Sequence, residues 1–207
     1  MIRSISLLSS CVLLSACISV LPEPETADAL YRLRPVEASH ALAADIIIRE
    51  PEASRLYAGR AIASEAADGS LRLIPRVEWA DAATRMLQIA LLDSFAAGTE
   101  TTGSASASSA GLHGDYELSW RISDFVVAGS TARCQLELTL LDGGTRRVIS
   151  QKTVRTSSEA GSNGSRDRAM ALSDAARSCV SQAADYIAAA TGVASASASA
   201  NNSSSRN

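Results

Sequence analysis

Two long runs in the second half of the chain alternate apolar and polar side chains, and they limit the fold more than any other feature. The apolar positions are Tyr116, Leu118, Trp120 and Ile122 in the first run and Cys134, Leu136, Leu138 and Leu140 in the second. Successive side chains of a strand point to opposite faces, so each run predicts a strand with one buried and one wet face.

Shorter strand signals surround these two runs. The further predicted strands are Ala29–Arg34, Asp45–Arg49, Arg60–Ala66, Ser70–Ile74 and Arg147–Thr156. Three consecutive isoleucines within Asp45–Arg49 favour a buried central strand. Asp68-Gly69 is a strong hairpin signal between two of the strands, and Pro75 is predicted to end the second arm.

Two segments carry apolar residues at helical spacing. The first predicted helix runs from Trp79 to about Ala97, with an apolar stripe of Trp79, Ala83, Met86, Leu87, Ala90, Leu91 and Phe95. The second runs from about Arg166 to Ala190, with a buried line of Leu172, Ala176, Cys179, Ala183 and Ile187. Side chains three or four residues apart share one face of a helix, so both helices are predicted to be amphipathic.

Together these elements predict an α+β fold, a two-layer sandwich. A mixed, mostly antiparallel sheet would carry both helices packed on one face. The other sheet face would then be wet or covered by a partner.

The N-terminus has the pattern of a bacterial lipoprotein signal peptide, residues 1–16. Its apolar core is too short to span a bilayer, which takes about 20 apolar residues. Leu14-Ser15-Ala16-Cys17 matches the lipobox, in which the cysteine thiol receives the diacylglycerol. Acyl chains such as palmitate on Cys17 would then anchor the mature protein. Ile18 replaces the aspartate that marks inner-membrane retention, so we expect the periplasmic face of the outer membrane, with the inner membrane as the alternative.

Composition divides the rest of the chain into a tether, a domain and a tail. Residues 17–28 form the tether, 29–191 a single domain, and 192–207 a low-complexity tail that is expected to be disordered. Within the domain, residues 98–114 are predicted to be irregular. The net charge of −3 is spread without blocks of like charge, so no nucleic-acid partner is expected.

Two cysteines remain in the domain, Cys134 and Cys179. The periplasm is oxidising and permits a disulfide between them. Two buried free thiols are the alternative, because free cysteine is among the most buried residue types.

No pattern of residues predicts catalysis, a cofactor or a metal. His40 and His113 lie in loop-like segments without ligands at metal-binding spacing, and no nucleophile motif occurs. The chain is therefore not expected to be an enzyme. Two aromatic side chains are candidates for a partner contact. For Trp79 a core anchor at the start of the predicted helix is the favoured interpretation, and Tyr57, in the loop after Pro51, is expected to be more exposed.

The order of these features resembles the ABC-type transport auxiliary lipoprotein family, which includes the paraquat-inducible lipoprotein. The segments that carry the resemblance are the lipobox, Tyr31-Arg32-Leu33, the isoleucine-rich strand before Pro51, Leu56–Ile62, Glu78-Trp79-Ala80-Asp81, Met86-Leu87-Gln88, Asp115–Leu118, Phe125 and the strand ending in Asp142. The resemblance covers about residues 14–190.

The resemblance implies an accessory component without catalytic activity. Such lipoproteins accompany ABC transporter subunits and a protein with a mammalian-cell-entry domain, in systems that move phospholipid or other hydrophobic molecules across the envelope. The lipoprotein would be a docking component, and a homo-oligomeric ring is one arrangement of it. The alternative hypothesis is an outer-membrane lipoprotein that regulates peptidoglycan synthases.

Overall fold

The structure is a computed structural model that describes residues 26–34, 40–95 and 103–204, with side chains described as far as Gly192. The strands are β1 Ala29–Tyr31, β2 Ile46–Ile48, β3 Glu52–Ala53, β4 Ala61–Glu65, β5 Leu71–Trp79, β6 Ala105–Ala107, β7 Tyr116–Ala128, β8 Thr131–Asp142 and β9 Val148–Glu159. The helices are α1 Arg55–Ala58, α2 Ala83–Asp93 and α3 Ser165–Ser204, with a 3₁₀ turn at Ser108–Ala110. The predicted signal peptide, Cys17 and most of the predicted tether lie outside the described residues.

The strand β7 lies at the centre of the sheet and pairs along its whole length with β8 in antiparallel register, from Tyr116–Asp142 to Ala128–Thr131. The next strand, β9, pairs antiparallel with β8. Along β8 the apolar side chains are fully buried and the polar side chains between them are partly exposed. The two alternating runs are therefore confirmed as strands with one buried face.

The other edge of β7 is paired with three short strands in sequence order. Parallel to it lie β2, β3 and β4, beside Tyr116–Leu118, Arg121–Ile122 and Val127–Ala128 respectively. Strand β6 pairs with β2. On the far side of β4, β5 pairs with β4 and β1 pairs with β5.

The α+β class is confirmed, but the curled sheet is more mixed than predicted. Among the described residues, five of the eight strand pairings are parallel, although the three antiparallel pairings contain the long ladders. The pairings of β7 with β2, β3 and β4 are parallel because a long connection, through the β4–β5 hairpin and α2, precedes β7. This connection returns the chain so that β7 enters the sheet parallel to the strands before it.

The prediction that Pro75 ends its strand is wrong, because β5 continues to Trp79. Ala63 pairs with Leu73 but Ala61 pairs with Glu78, so β5 contains a bulge between Leu73 and Glu78. Pro75 lies in this bulge, where no ladder partner requires its missing N–H.

The first long helix begins at Ala83, not at the predicted Trp79. Trp79 is the last residue of β5, and its backbone N–H donates to the Arg60 carbonyl oxygen at 2.7 Å. The four-residue spacing from Trp79 to Ala83 imitates a helical stripe, while the strand ladder decides the actual conformation. The helix also ends earlier than predicted, at Asp93.

The predicted buried line of α3 is confirmed, because Leu172, Ala176, Cys179, Ala183 and Ile187 are all fully buried. This helix packs on β8 and β9 and also contacts α2, which gives both long helices one shared core. The helix extends to Ser204, past the predicted end near Ala190. Disorder of the tail stays a prediction.

Residues 98–114, predicted to be irregular, contain the strand β6. Ser104 anchors this segment because its backbone N–H and its hydroxyl both donate to Asp45 Oδ1, at 2.8 and 2.7 Å. Alanine and serine are weak strand formers, so the short ladder with β2 depends on these tertiary contacts.

Candidate interaction surface

A stacked aromatic pair lies in the core, on the helix-covered face of the sheet. Trp79 is 0% exposed, and its ring stacks on Phe125 with centroids 5.6 Å apart and 19° between the planes. Phe125 in turn lies opposite Cys134 in β8. Trp79 is therefore a core residue, and it presents no exposed side chain for the partner contact considered from the sequence.

The opposite face of β7, β8 and β9, which we call the open face, is lined with charged and amide side chains. Arg121 lies 2.7 Å from the Glu137 carboxylate across the β7–β8 ladder, and Arg155 Nε donates to Gln135 Oε1 at 2.7 Å across the β8–β9 ladder. Opposite charges on neighbouring strands stabilise a sheet by about 0.2–1 kcal/mol per pair. The open face is therefore polar and internally hydrogen-bonded.

A denser cluster lies at one end of the open face, where Arg133 contacts two carboxylates. Its Nε is 2.8 Å from Asp124 Oδ2, and its Nη2 is 2.5 Å from Glu65 Oε2. The hydrogen bonds that Arg133 donates to Asp124 and then to Glu65 raise the pKa of Arg133 above its usual range, so the guanidinium stays charged. This cluster ties β4, β7 and β8 together.

Tyr57 lies beside this cluster and is half-buried, less exposed than the sequence suggested. Burial raises the pKa of its phenol, and the negative charge of Asp124 raises it further. The hydroxyl is therefore neutral and hydrogen bonds with Asp124. Tyr57 remains a candidate partner contact through its hydroxyl, which joins the polar cluster at Asp124.

A second charged cluster lies at the other end of β7. The Glu117 carboxylate accepts from Arg49 and, at 2.9 Å, from Arg146 Nη1. The Arg49 carbonyl also accepts the indole N–H of Trp120 at 2.6 Å. The Glu117 carboxylate is mostly buried beneath the two guanidinium groups, with 12% of its side chain exposed. Charges of both signs thus occur at both ends of the open face.

A groove of about 650 Å³ separates the chain after β1 from α2. Its apolar lining includes Leu33, Met86 and Ile89, and Arg32 and Asp93 contribute charge. Residues 35–39 lie outside the described residues. Ile89 is 42% exposed here, so this side of α2 is not fully covered by the described part of the chain.

The two histidines lie apart in different surroundings. His40 Nδ1 is 3.4 Å from Asp185 Oδ1, and its ring meets the edge of Phe95 with centroids 6.2 Å apart. His113 lines a small cavity of about 190 Å³ together with Ile47. Within residues 26–34, 40–95 and 103–192, no three His, Cys, Asp or Glu side chains gather as metal ligands would.

The cysteines of the domain come together in the core. Cys134 on β8 and Cys179 on α3 are 1% and 0% exposed, and both are free thiols in this structure. The bond between them that the sequence permits stays a prediction. Lipidation of Cys17 also stays a prediction, because this residue lies outside the described part of the chain.

Comparison with known proteins matches this fold to a family. The model of the ABC-type transport auxiliary lipoprotein component matches residues 30–188, from β1 to within α3. The chain belongs to this family. The resemblance noted from Trp79, the isoleucine-rich strand and the lipobox is thereby confirmed at the level of the family.

Solved structures with the fold of this auxiliary lipoprotein are distant in sequence. Protein XCC0632 from Xanthomonas campestris is 20% identical with a TM-score of 0.69, over 82% of this chain and 97% of that one. An uncharacterized protein is 11% identical with a TM-score of 0.56, over 78% of this chain and 99% of that one. Among curated proteins, no significant match to the chain was found. At these identities the structural neighbours show the fold alone.

Within the described part of the auxiliary lipoprotein no helix is both long and apolar enough to cross a membrane.

The charged clusters were not predicted from the sequence. Arg133, Asp124 and Glu65 come from three strands, and Arg133 is 68 residues from Glu65 along the chain. The only signal in the sequence was that Arg133 falls on the wet side of its alternating strand. The register that places it against Asp124 follows a bulge in β7 between Ile122 and Asp124, which alternation alone does not reveal.

Proposed function

We propose that this lipoprotein is a non-catalytic docking component of an ABC-type transport system whose substrate-binding part carries a mammalian-cell-entry domain. The system would move phospholipid or other hydrophobic molecules across the envelope. The observation that carries the proposal is the family match over residues 30–188, which covers nearly the whole described domain.

The proposed attachment is an acyl anchor on Cys17 at the periplasmic face of the outer membrane. The lipobox Leu14–Cys17 and the absence of an aspartate after the cysteine support it. Residues 17–28 span at most roughly 40 Å when extended, at about 3.5 Å per residue. The domain would therefore remain close to the membrane, and its partners would meet it there.

The proposed docking surface is the open face. It presents charges of both signs at Arg121, Glu137 and Arg155, and the long helices pack on the other side of the sheet. Complementary charges direct a partner into one register and speed the encounter, while arginine side chains supply strong interface contacts. Tyr57 and Arg133 would form the part of this surface that is ordered before binding.

The experiment is site-specific photo-crosslinking in cells that make the full-length lipoprotein. The probe replaces Arg155 on the open face, and a matched control replaces Met170, which is 43% exposed on α3. We expect the Arg155 probe to capture the mammalian-cell-entry protein or an ABC subunit, and the Met170 probe to capture neither.

Other captures would contradict specific parts of the proposal. Peptidoglycan synthases as the sole captured proteins would overturn the transport function and support the regulator hypothesis. Links between two copies of this chain from Arg155 would place the open face inside a homo-oligomer and contradict the docking assignment.

A further inference from the structure

The two cysteines of the domain face each other across the contact between α3 and the sheet. The Cys179 thiol donates to the carbonyl oxygen of Cys134 at 3.2 Å, and the two thiols also hydrogen bond with each other. They are 45 residues apart in sequence. Their proximity is therefore a product of the tertiary fold and not of local chain geometry.

The surrounding contacts hold this arrangement in place. Thr156 lies opposite Cys134 in the β8–β9 ladder, and its hydroxyl donates to the Ala175 carbonyl at 2.6 Å. Ala175 lies one helical turn before Cys179, so the same turn of α3 is fixed to the strand beside Cys134. Both thiols thus lie between a helix and a sheet that this hydrogen bond joins beside them.

After the predicted signal-peptide cleavage and lipidation, Cys134 and Cys179 have only each other as disulfide partners within the chain. Cys11 would leave with the signal peptide, and the Cys17 sulfur would carry a thioether-linked lipid. Export would then place Cys134 and Cys179 in an oxidising compartment as the two unmodified cysteines of the mature chain.

We propose that Cys134 and Cys179 form an intramolecular disulfide in the exported protein, which covalently joins α3 to the centre of the sheet. In this step the two thiols lose two protons and two electrons. The electrons reduce the disulfide of a periplasmic thiol–disulfide oxidoreductase to its dithiol through a mixed-disulfide intermediate. The proposal requires export but no transport partner, so its failure and that of the proposed function are distinguishable.

Burial of the two thiols determines at which stage of folding the disulfide can form. It raises the pKa of the Cys134 thiol well above its usual range, and both side chains are inaccessible once the domain has closed. Since the thiolate is the reactive form, oxidation takes place while α3 docks on β8, when the two thiols are already near each other but not yet enclosed. The folded disulfide is then shielded from reductants by the same burial.

The first test is mass spectrometry of the full-length lipoprotein taken from cell membranes after free thiols have been blocked with N-ethylmaleimide under denaturing, non-reducing conditions. Trypsin separates the cysteines, because it cleaves after Arg133, Arg146, Arg177 and Arg206. We expect a disulfide-linked pair of peptides 134–146 and 178–206, which disappears on reduction. Maleimide on both cysteines in most of the protein would overturn the proposal.

The second test measures the effect of the bond without changing the sequence. Thermal unfolding of the wild type is compared with and without a reductant that acts on the unfolded chain. For a 45-residue separation we expect reduction to lower Tm by about 10 °C. The double variant Cys134→Ala and Cys179→Ala is the control, and the reductant should leave its Tm unchanged. An equal Tm of the wild type under both conditions would contradict a stabilising disulfide.

Discussion

Asp28, the residue before β1, makes two contacts with Arg76 in the bulge of β5. The backbone N–H of Asp28 donates to the Arg76 carbonyl oxygen at 2.8 Å, and Arg76 Nε lies 2.8 Å from Asp28 Oδ2. Arg76 has φ of 66°, in the left-handed region, within the bulge of β5. This bulge turns β5 so that β1, the first strand after the tether, pairs with Val77–Trp79.

Replacing Arg76 with glycine is predicted to leave the free energy of unfolding unchanged or to raise it by up to about 1 kcal/mol. Glycine relieves a left-handed conformation that costs other residues roughly 1–2 kcal/mol. The lost ion pair offsets little of this, because exposed pairs contribute under about 1 kcal/mol. Urea unfolding, monitored by circular dichroism, gives the measurement.

Arg72→Gly is the matched control, since Arg72 lies exposed in the same strand with an ordinary φ. We expect this substitution to lower the free energy of unfolding by about 0.5–1 kcal/mol. Equal losses for both glycine variants would show that the backbone of Arg76 is not strained.

Gly143 is predicted to tolerate no side chain. A Cβ at this position would lie 2.0 Å from the Gly114 carbonyl oxygen, a backbone atom that cannot move alone. We expect Gly143→Ala to lower the free energy of unfolding by about 1–3 kcal/mol. At the neighbouring Gly144 the nearest atom to such a Cβ is 3.7 Å away, so Gly144→Ala should cost well under about 1 kcal/mol. Indistinguishable urea midpoints for the two variants would refute this account of the turn.

The stacked pair of Trp79 and Phe125 is predicted to be a main contributor to core stability. Trp79→Ala should lower the free energy of unfolding by about 3–5 kcal/mol, because it removes a fully buried ring and leaves a cavity. Tyr57→Phe keeps a ring and loses only the hydroxyl contact with Asp124, so it should cost about 0.5–1.5 kcal/mol. A loss below about 1 kcal/mol for Trp79→Ala in urea unfolding would contradict the core assignment.

Stability is predicted to fall in acid through carboxylates that are hydrogen-bonded in the folded state. Two hydrogen bonds from Ser104, the side-chain bond first, hold the pKa of Asp45 below its ordinary value, and Thr145 does the same for Asp142. An unfolded aspartate has a pKa of about 3.9, so near that pH the unfolded chain binds more protons than the folded one. The contribution is complete above this pH and is lost as pH falls through the lower folded pKa.

The measurement is the urea midpoint of the wild type and of Asp45→Asn at pH 6 and at pH 3. The variant should lose less stability on acidification than the wild type, because position 45 no longer titrates. A drop as large as that of the wild type would show that Asp45 contributes nothing to the acid response.

The meander of β7, β8 and β9 was predictable from the sequence because its signals are local. Alternation identifies the buried face of each strand, and Asp142-Gly143-Gly144 identifies the turn. The parallel pairing of β2 with β7 had no such signal, because Ile46 and Tyr116 meet only through the tertiary fold. Topology therefore depends on long-range contacts that periodicity does not encode.

Local rules also failed where tertiary contacts overrode them. Pro75 was predicted to end a strand, but a bulge accommodates it. Trp79 has the spacing of a helical stripe, but the ladder with β1 holds it in a strand. Of the candidate interaction surface, alternation predicted only that Arg121, Glu137 and Arg133 lie on a wet face. Their pairing needed the register and the bulge of β7.

The most direct test of the proposed transport function is affinity purification of the full-length lipoprotein from solubilised membranes, followed by identification of the proteins that accompany it. The wild type is compared with Cys17→Ser, which removes the proposed lipid attachment and leaves the described domain unchanged. We predict that the wild type recovers a mammalian-cell-entry protein together with ABC transporter subunits, and that Cys17→Ser recovers much less of both. Recovery of peptidoglycan synthases without any transporter subunit would contradict it.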